Sequence, residues 1–179
     1  MVSICILGGG SSGWMTAAAF AKKFPHYKIR LIENPSQKPL SVGESTLGHF
    51  NRYLDCLGIN DRDWMKECNA TYKLSIQFTN WQGKGDVFQY PFGDFDYTNG
   101  DFLTWYYLHH TWPQLFPDTS YCEFYNPVSY LASTNKIVDD NVHVRNFRRT
   151  WDTSYHFDAT KFGSWLRDNL CQSVEHTKA

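Results

Sequence analysis

Three glycines, Gly8, Gly10 and Gly13, stand in G-x-G-x-x-G spacing between an apolar run and a helical pattern, the setting in which that spacing cradles a dinucleotide. Gly8 permits a tight turn, Gly10 lets backbone approach a pyrophosphate, and Gly13 lets a helix pack closely on a sheet. Ser11 and Ser12 fall inside the turn, at the amino end of the helix, where backbone dipoles meet negative charge. Glu33 follows Gly13 by 20 residues. An acid there accepts hydrogen bonds from adenosine ribose hydroxyls and repels a 2′-phosphate, so NADP is disfavoured while FAD and NAD both stay open. A turn that only reversed the chain would not need strand, helix and acid in register.

Other chemistries find less support. Among seven histidines, His109 and His110 are adjacent and the rest distant, so no i, i+4 pair suits zinc and no metal site is expected. Ser11 and Ser12 lack the G-x-S-x-G spacing of an activated nucleophile. Asp94, Asp96 and Asp101 read as loop and helix-cap residues. The five cysteines are scattered, odd in number and never C-x-x-C. That pattern argues against a disulfide framework or thiolate zinc and suits a reducing cytoplasm.

The elements that must hold the glycine turn are short and clear. Residues 2–7, VSICIL, predict a buried first strand. From Ser11 a helix is expected with Trp14, Ala17, Ala18 and Ala21 on one face and Phe24-Pro25 as its stop; KIRLIE, 28–33, is a second strand. Strand, turn, helix and strand form the βαβ unit of a parallel, doubly wound sheet. Downstream, Phe50, Tyr53, Leu54 and Leu57 mark a helix closed by Gly58, and Asp61 caps a short turn of helix running to Cys68. YKLSIQF alternates Leu74, Ile76 and Phe78 against Lys73, Ser75 and Gln77, a strand buried on one side. Residues 86–150 are rich in loops, with a helix around 103–110 and a hairpin at KIVDDNVHVRNF. Phe162, Trp165, Leu166 and Leu170 fall on one face of a closing helix, after which CQSVEHTKA loosely continues as a strand.

At 179 residues the chain has the size of one domain, and 17 Lys and Arg against 18 Asp and Glu leave no basic field for nucleic acid or an anionic membrane. No apolar run is long enough to span a membrane, and the start MVSICILGGG lacks a charged leader region. Partners are expected to be small molecules or proteins. The aromatic stretch from Phe88 to Tyr130 reads as a core lid or an aromatic binding wall.

With these elements placed, GGGSSGWMTA, LIE, VGESTLGHF, DWMKECNATYKLSIQFTNW and YHFDATKFGSWL, in order from residue 2 to about 170, resemble flavin-dependent halogenases of the tryptophan-halogenase type. The glycine motif is shared by many flavoproteins; Trp14-Met15 and the block W-M-x-x-C-N-A-T-Y-K are far more selective. The resemblance implies an α/β fold: a doubly wound, Rossmann-like FAD module similar to that of flavin monooxygenases, and a second module over the substrate. Residues 1–179 would form the FAD-binding domain with the start of the substrate module at about 86–150. The resemblance also implies FAD supplied as FADH2 by a separate flavin reductase, oxygen and a halide ion as co-substrates, and hypohalous acid passed through a tunnel to a lysine, which holds it as a haloamine or by hydrogen bonding beside a small aromatic substrate. Lys73 occupies that lysine's place. Taken alone, Lys73 would be a solvated residue on a polar strand face, yet an amine against an apolar wall loses solvation when charged and can meet an electrophilic halogen. Val42, Gly43, Glu44 and Ser45 resemble the strap along the flavin; without the family they would be a plain connector.

Tryptophan-acting members place a histidine and a phenylalanine two residues apart around the indole, where this sequence has Tyr90 and Phe92. Phe92 keeps an aromatic wall, but tyrosine for histidine puts free tryptophan in doubt as the substrate. The family's W-x-W-x-I-P motif and catalytic glutamate do not occur within residues 1–179, so an amino-terminal part with an incomplete substrate module is expected. A flavin monooxygenase with Lys73 idle, and a non-catalytic flavin-binding fragment, are the alternatives; a homo-oligomer is compatible with either.

Overall fold

The computed structural model describes residues 2–37, 43–81, 83–93, 102–115, 126–138 and 149–179. The chain divides into two units, residues 1–71 with 155–179, and residues 72–154.

In the first unit a parallel sheet has the order β1 (Ser3–Leu7), β2 (Lys28–Glu33), β8 (Glu175–Lys178). Ser3 pairs with Lys28 and Leu7 with Ile32, while Leu31 pairs with His176 and Glu33 with Lys178. Helix α1 (Ser11–Lys23) packs on β1 and β2 through Trp14, Ala17 and Ala18, all buried. Small alanines let helix and sheet approach, and α7 (Ala159–Leu170) then packs along α1. The sequence expectation of a buried β1 fails: none of its residues is buried, and Leu7 is 78% exposed. Alternate strand residues point to opposite faces, and α1 covers only one of them.

Helix α2 (His49–Leu57) buries Phe50, Leu54 and Leu57, as its spacing predicts, and ends at Gly58 in the left-handed region with φ 69°. Short α3 (Asp61–Trp64) is capped by Asn60, which exchanges side-chain and backbone bonds with Asp63. Asp61 is therefore the first helical residue rather than the cap. Its Oδ1 lies 2.8 Å from the Tyr155 hydroxyl, which also meets Asn51 Oδ1 at 2.9 Å. Trp64 and Phe162, both fully buried, form an aromatic core with Phe50, Tyr155 and Phe157; the Trp64 and Phe162 rings meet edge-on at 5.0 Å. Helix α7 starts on Asp158, whose carboxylate accepts from Lys161 N at 3.0 Å. It buries Phe162, Trp165 and Leu166. Strand β3 (Gly43–Ser45) pairs antiparallel with β7 (Ser154–Asp158), Gly43 opposite Asp158 and Ser45 opposite His156.

The chain leaves the first unit within β4 (Thr71–Lys73). The single strand expected over YKLSIQF is broken at Leu74, where β5 (Ser75–Thr79) begins a hairpin with β6 (Val87–Pro91). The side expected to be buried is only half-buried at Ile76 and Phe78, while Gln77 and Thr79 are exposed. Phe78 stacks on Phe88 across the hairpin at 5.0 Å. Helix α4 (Phe102–Thr111) stands where LTWYYLHH predicts one, and a 3-10 turn follows at Pro113–Leu115. Helix α5 (Pro127–Ser133) packs on β5 and β6, capped by Asn126, whose side chain accepts from Val128 N and Ser129 N; α6 (Arg149–Asp152) closes the unit. Most of the expected hairpin at KIVDDNVHVRNF lies outside the described residues.

Candidate functional site

The carboxyl ends of the three parallel strands come together, the place where open α/β sheets bind ligands. Gly8 leaves β1 with φ 111°, a left-handed conformation that favours glycine, and its N–H donates to Ile32 O at 2.8 Å. Gly13 is held differently: a Cβ there would overlap the Gly8 carbonyl oxygen, so the helix lies on the turn as closely as backbone allows. Gly10 is the extended residue before α1, no side chain caps that helix, and a Cβ on Gly10 would meet open space. The turn thus forms a cradle whose floor is backbone and whose mouth is open. Residues Ser11 and Ser12 begin α1 at that mouth, where a helix end attracts anions.

Glu33 ends β2 beside the turn, 21% exposed. Its Oε1 lies 2.9 Å from His176 Nε2 and 4.0 Å from Lys178 Nζ, while Oε2 covers Gly9 so closely that a Cβ there would overlap it. Sequence reasoning missed His176 and Lys178. Their signal is the period of two in β8, which needs the register to be read.

Of the strap residues, Val42 lies outside the described residues; Gly43, Glu44 and Ser45 form β3. Glu44 Oε1 accepts from Ser11 Oγ at 3.4 Å, a long bond that sets a carboxylate at the amino end of α1. Thr46 continues the tie, its N–H donating to Tyr155 O at 2.9 Å. Gly43, Glu44 and Ser45 share a cavity of about 450 Å³ with Asn69, His156, Phe157 and Asp158, within the usual range for small-molecule sites. Asn69, His156 and Asp158 are further polar lining residues that the sequence reading did not single out.

The second unit brings together two of the other expected residues. Phe92 N donates to Leu74 O at 2.9 Å, extending the hairpin past Ser75 and Pro91. Lys73, next to Leu74, places Nζ 4.8 Å from the centre of the Phe92 ring. Phe92 is 9% exposed, and burial pushes the Lys73 ammonium below the ordinary lysine range; the ring face favours the cation and offsets part of that effect. Tyr90 stands opposite Ile76 and is 62% exposed. Asp152, another residue missed, is buried with its carboxylate against Gly93, where a Cβ would overlap it.

Among the described residues no cluster of His, Cys, Asp and Glu could hold a metal ion, and no helix is long and apolar enough to cross a membrane.

The tryptophan halogenase family model matches residues 3–178. The tryptophan 6-halogenase ThaL of Streptomyces albogriseolus is 31% identical over 194 aligned residues, covering 98% of this chain and 36% of that protein. Among solved structures, the apo form of VirX1 superposes with a TM-score of 0.85 at 46% identity, over 98% of this chain and 35% of that one. BrvH, a flavin-dependent halogenase from Brevundimonas sp. BAL3, gives 0.75 at 31% identity, over 99% and 35%. The chain spans about a third of the length of these relatives. With an α/β fold built on a parallel sheet and a sequence match along nearly its whole length, this chain belongs to the tryptophan halogenase family.

Proposed function

We propose that these residues are the flavin-binding part of an FADH2-dependent halogenase acting on an electron-rich aromatic compound. The observation that carries the reading, beside family membership, is the Lys73 amine 4.8 Å from the Phe92 ring centre. An amine of lowered basicity beside an aromatic wall suits the handling of an electrophilic halogen.

The residues of the first unit fit FAD. The open cradle over Gly10 would take the pyrophosphate with the amino end of α1 and Ser11 and Ser12, Gly8 and Gly13 keep the cradle's shape, and Glu33 would accept from the ribose. Val42, Gly43, Glu44 and Ser45 would lie along the flavin. Reduced flavin, supplied by a separate reductase, and a halide ion would each give two electrons to oxygen, one oxygen atom leaving as water and the other in hypohalous acid. Lys73 would hold that acid beside the substrate by donating from its amine, or by forming an N–halogen bond as water leaves. Phe92 and Tyr90 would flank the aromatic ring, and residues from about 86 to 150 would be the start of the substrate module. The chemistry suits the cytoplasm, where a reductase can supply FADH2.

The test is Lys73→Ala in the full-length protein with a flavin reductase, oxygen, halide and a panel of indoles and phenols. Halogenated product should fall at least about a hundred-fold, on the scale of losing a catalytic group, while flavin binding and flavin oxidation by oxygen persist. Product at the wild-type rate would refute the role of Lys73.

A further inference from the structure

We propose that His176 is a positioning residue that holds Glu33 ready for the cofactor's ribose, an inference that rests on reading Glu33 as the ribose acceptor. The register places both on one sheet face: Leu31 pairs with His176 and Glu33 with Lys178. Two residues apart on parallel neighbours, the imidazole and the carboxylate meet on the same side of the sheet.

The two oxygens of Glu33 have separate surroundings. Oε1 lies 2.9 Å from His176 Nε2, with Lys178 Nζ farther off at 4.0 Å. Oε2 lies over Gly9, in the glycine turn itself. His176 Nε2 is buried and off the line of a directed hydrogen bond, so its hold on Oε1 is one of close contact. The Trp14 ring fixes the imidazole edge-on, centres 5.0 Å apart and planes at 79°. Trp14 belongs to α1, the helix that the glycine turn opens. One chain of contacts thus runs from that helix through Trp14 and His176 to the carboxylate, leaving Oε2 toward the turn.

A glutamate has three rotatable side-chain bonds, and a partner that orders it before binding removes that cost from the binding step. Lys178 is a weaker candidate, being 62% exposed and at the limit of ion-pair distance. His176, by contrast, is 23% exposed and braced by an aromatic ring.

FAD titrations of the full-length protein, followed by flavin fluorescence, test this with Glu33→Gln, His176→Ala, His176→Gln and the double variant Glu33→Gln/His176→Ala. Glu33→Gln should weaken binding roughly ten-fold, the scale of one charge-assisted hydrogen bond. His176→Ala should weaken it by roughly five-fold, and His176→Gln, which keeps an amide nitrogen near Nε2, should recover most of that loss. The double variant should bind no more weakly than Glu33→Gln, since His176 acts only through the carboxylate. Losses that multiply, or no recovery with glutamine, overturn the positioning role and leave Glu33 as acceptor. Unchanged affinity in Glu33→Gln overturns the ribose reading itself. Should His176→Ala fail to fold, His176→Gln with and without Glu33→Gln completes the same cycle.

Discussion

A lysine on a strand face is unremarkable until its surroundings are known, and at Lys73 two effects act on one amine. Burial disfavours its charge and the Phe92 ring favours it. Lys73→Arg separates charge from nucleophilicity: guanidinium keeps the cation over the ring but stays protonated. Stability should change by less than about 0.5 kcal/mol, whereas product formation should fall nearly as far as in Lys73→Ala; thermal unfolding and a product assay read the two. Buried thiols give a second residue-scale test. Burial pushes Cys171 up to about 11 and Cys68 up to about 12, from 9.0 in the open chain. Folded thiols therefore stay protonated where unfolded ones ionise, so their contribution is complete below pH 9.0 and is lost as pH rises through 11 to 12. The depressed Lys73 works the other way, since its unfavourable charge disappears as pH approaches 10.5. Urea midpoints measured from pH 8 upward should fall, and Cys171→Ala should flatten the fall. An identical slope in that variant would assign the alkaline loss to other groups.

The glycine turn shows how elements, rather than single residues, make the cradle proposed for the cofactor. Gly13→Ala drives a methyl into the Gly8 carbonyl and should cost about 1–3 kcal/mol, the usual range for overpacking, seen as a lowered thermal midpoint together with weaker FAD binding. Gly10→Ala meets open space, so stability should hold while FAD affinity falls; Gly10→Val with unchanged affinity would remove the pyrophosphate from this turn. Much of this architecture was legible in the sequence because it is local. The spacing of Trp14, Ala17 and Ala18, of Phe50, Leu54 and Leu57, and of Phe162, Trp165 and Leu166 marks helix faces that are buried, while Ala21, Tyr53 and Leu170, expected on the same faces, are only half-buried. What escaped depends on distant partners. The break at Leu74 is tied to a hydrogen bond from Phe92 N, far along the chain, and alternation cannot reveal it. Asn60 and Asp61 are both good capping types, and only the phase of the helix shows that Asn60 is the cap. His176 gained its place by register with Leu31, which no local pattern contains.

At the scale of the whole molecule, residues 1–179 correspond to about a third of the length of the relatives they match. On the function proposed above, these residues would contribute one bias. Phe92 is buried beneath Lys73 and offers an apolar wall, while Tyr90, which the resemblance puts where tryptophan-acting members have histidine, keeps 62% of its surface open. Stacking of an electron-rich ring is worth about 0.5–1.5 kcal/mol beyond area burial, a gain that indoles and phenols share. Histidine in Tyr90's place would add a compact polar contact; tyrosine is larger, and its phenol reshapes that side. Selection should therefore broaden, with free tryptophan a poor substrate beside larger or less polar aromatics. A competition assay with the full-length protein, reductase, halide, tryptophan and a panel of indoles and phenols measures this as relative kcat/KM. Tyr90→His should shift the ratio toward tryptophan by roughly 5- to 10-fold, the scale of one polar contact. Strong, regiospecific preference for free tryptophan in the wild type, unmoved by Tyr90→His, would show that Tyr90 does not govern the choice of ring.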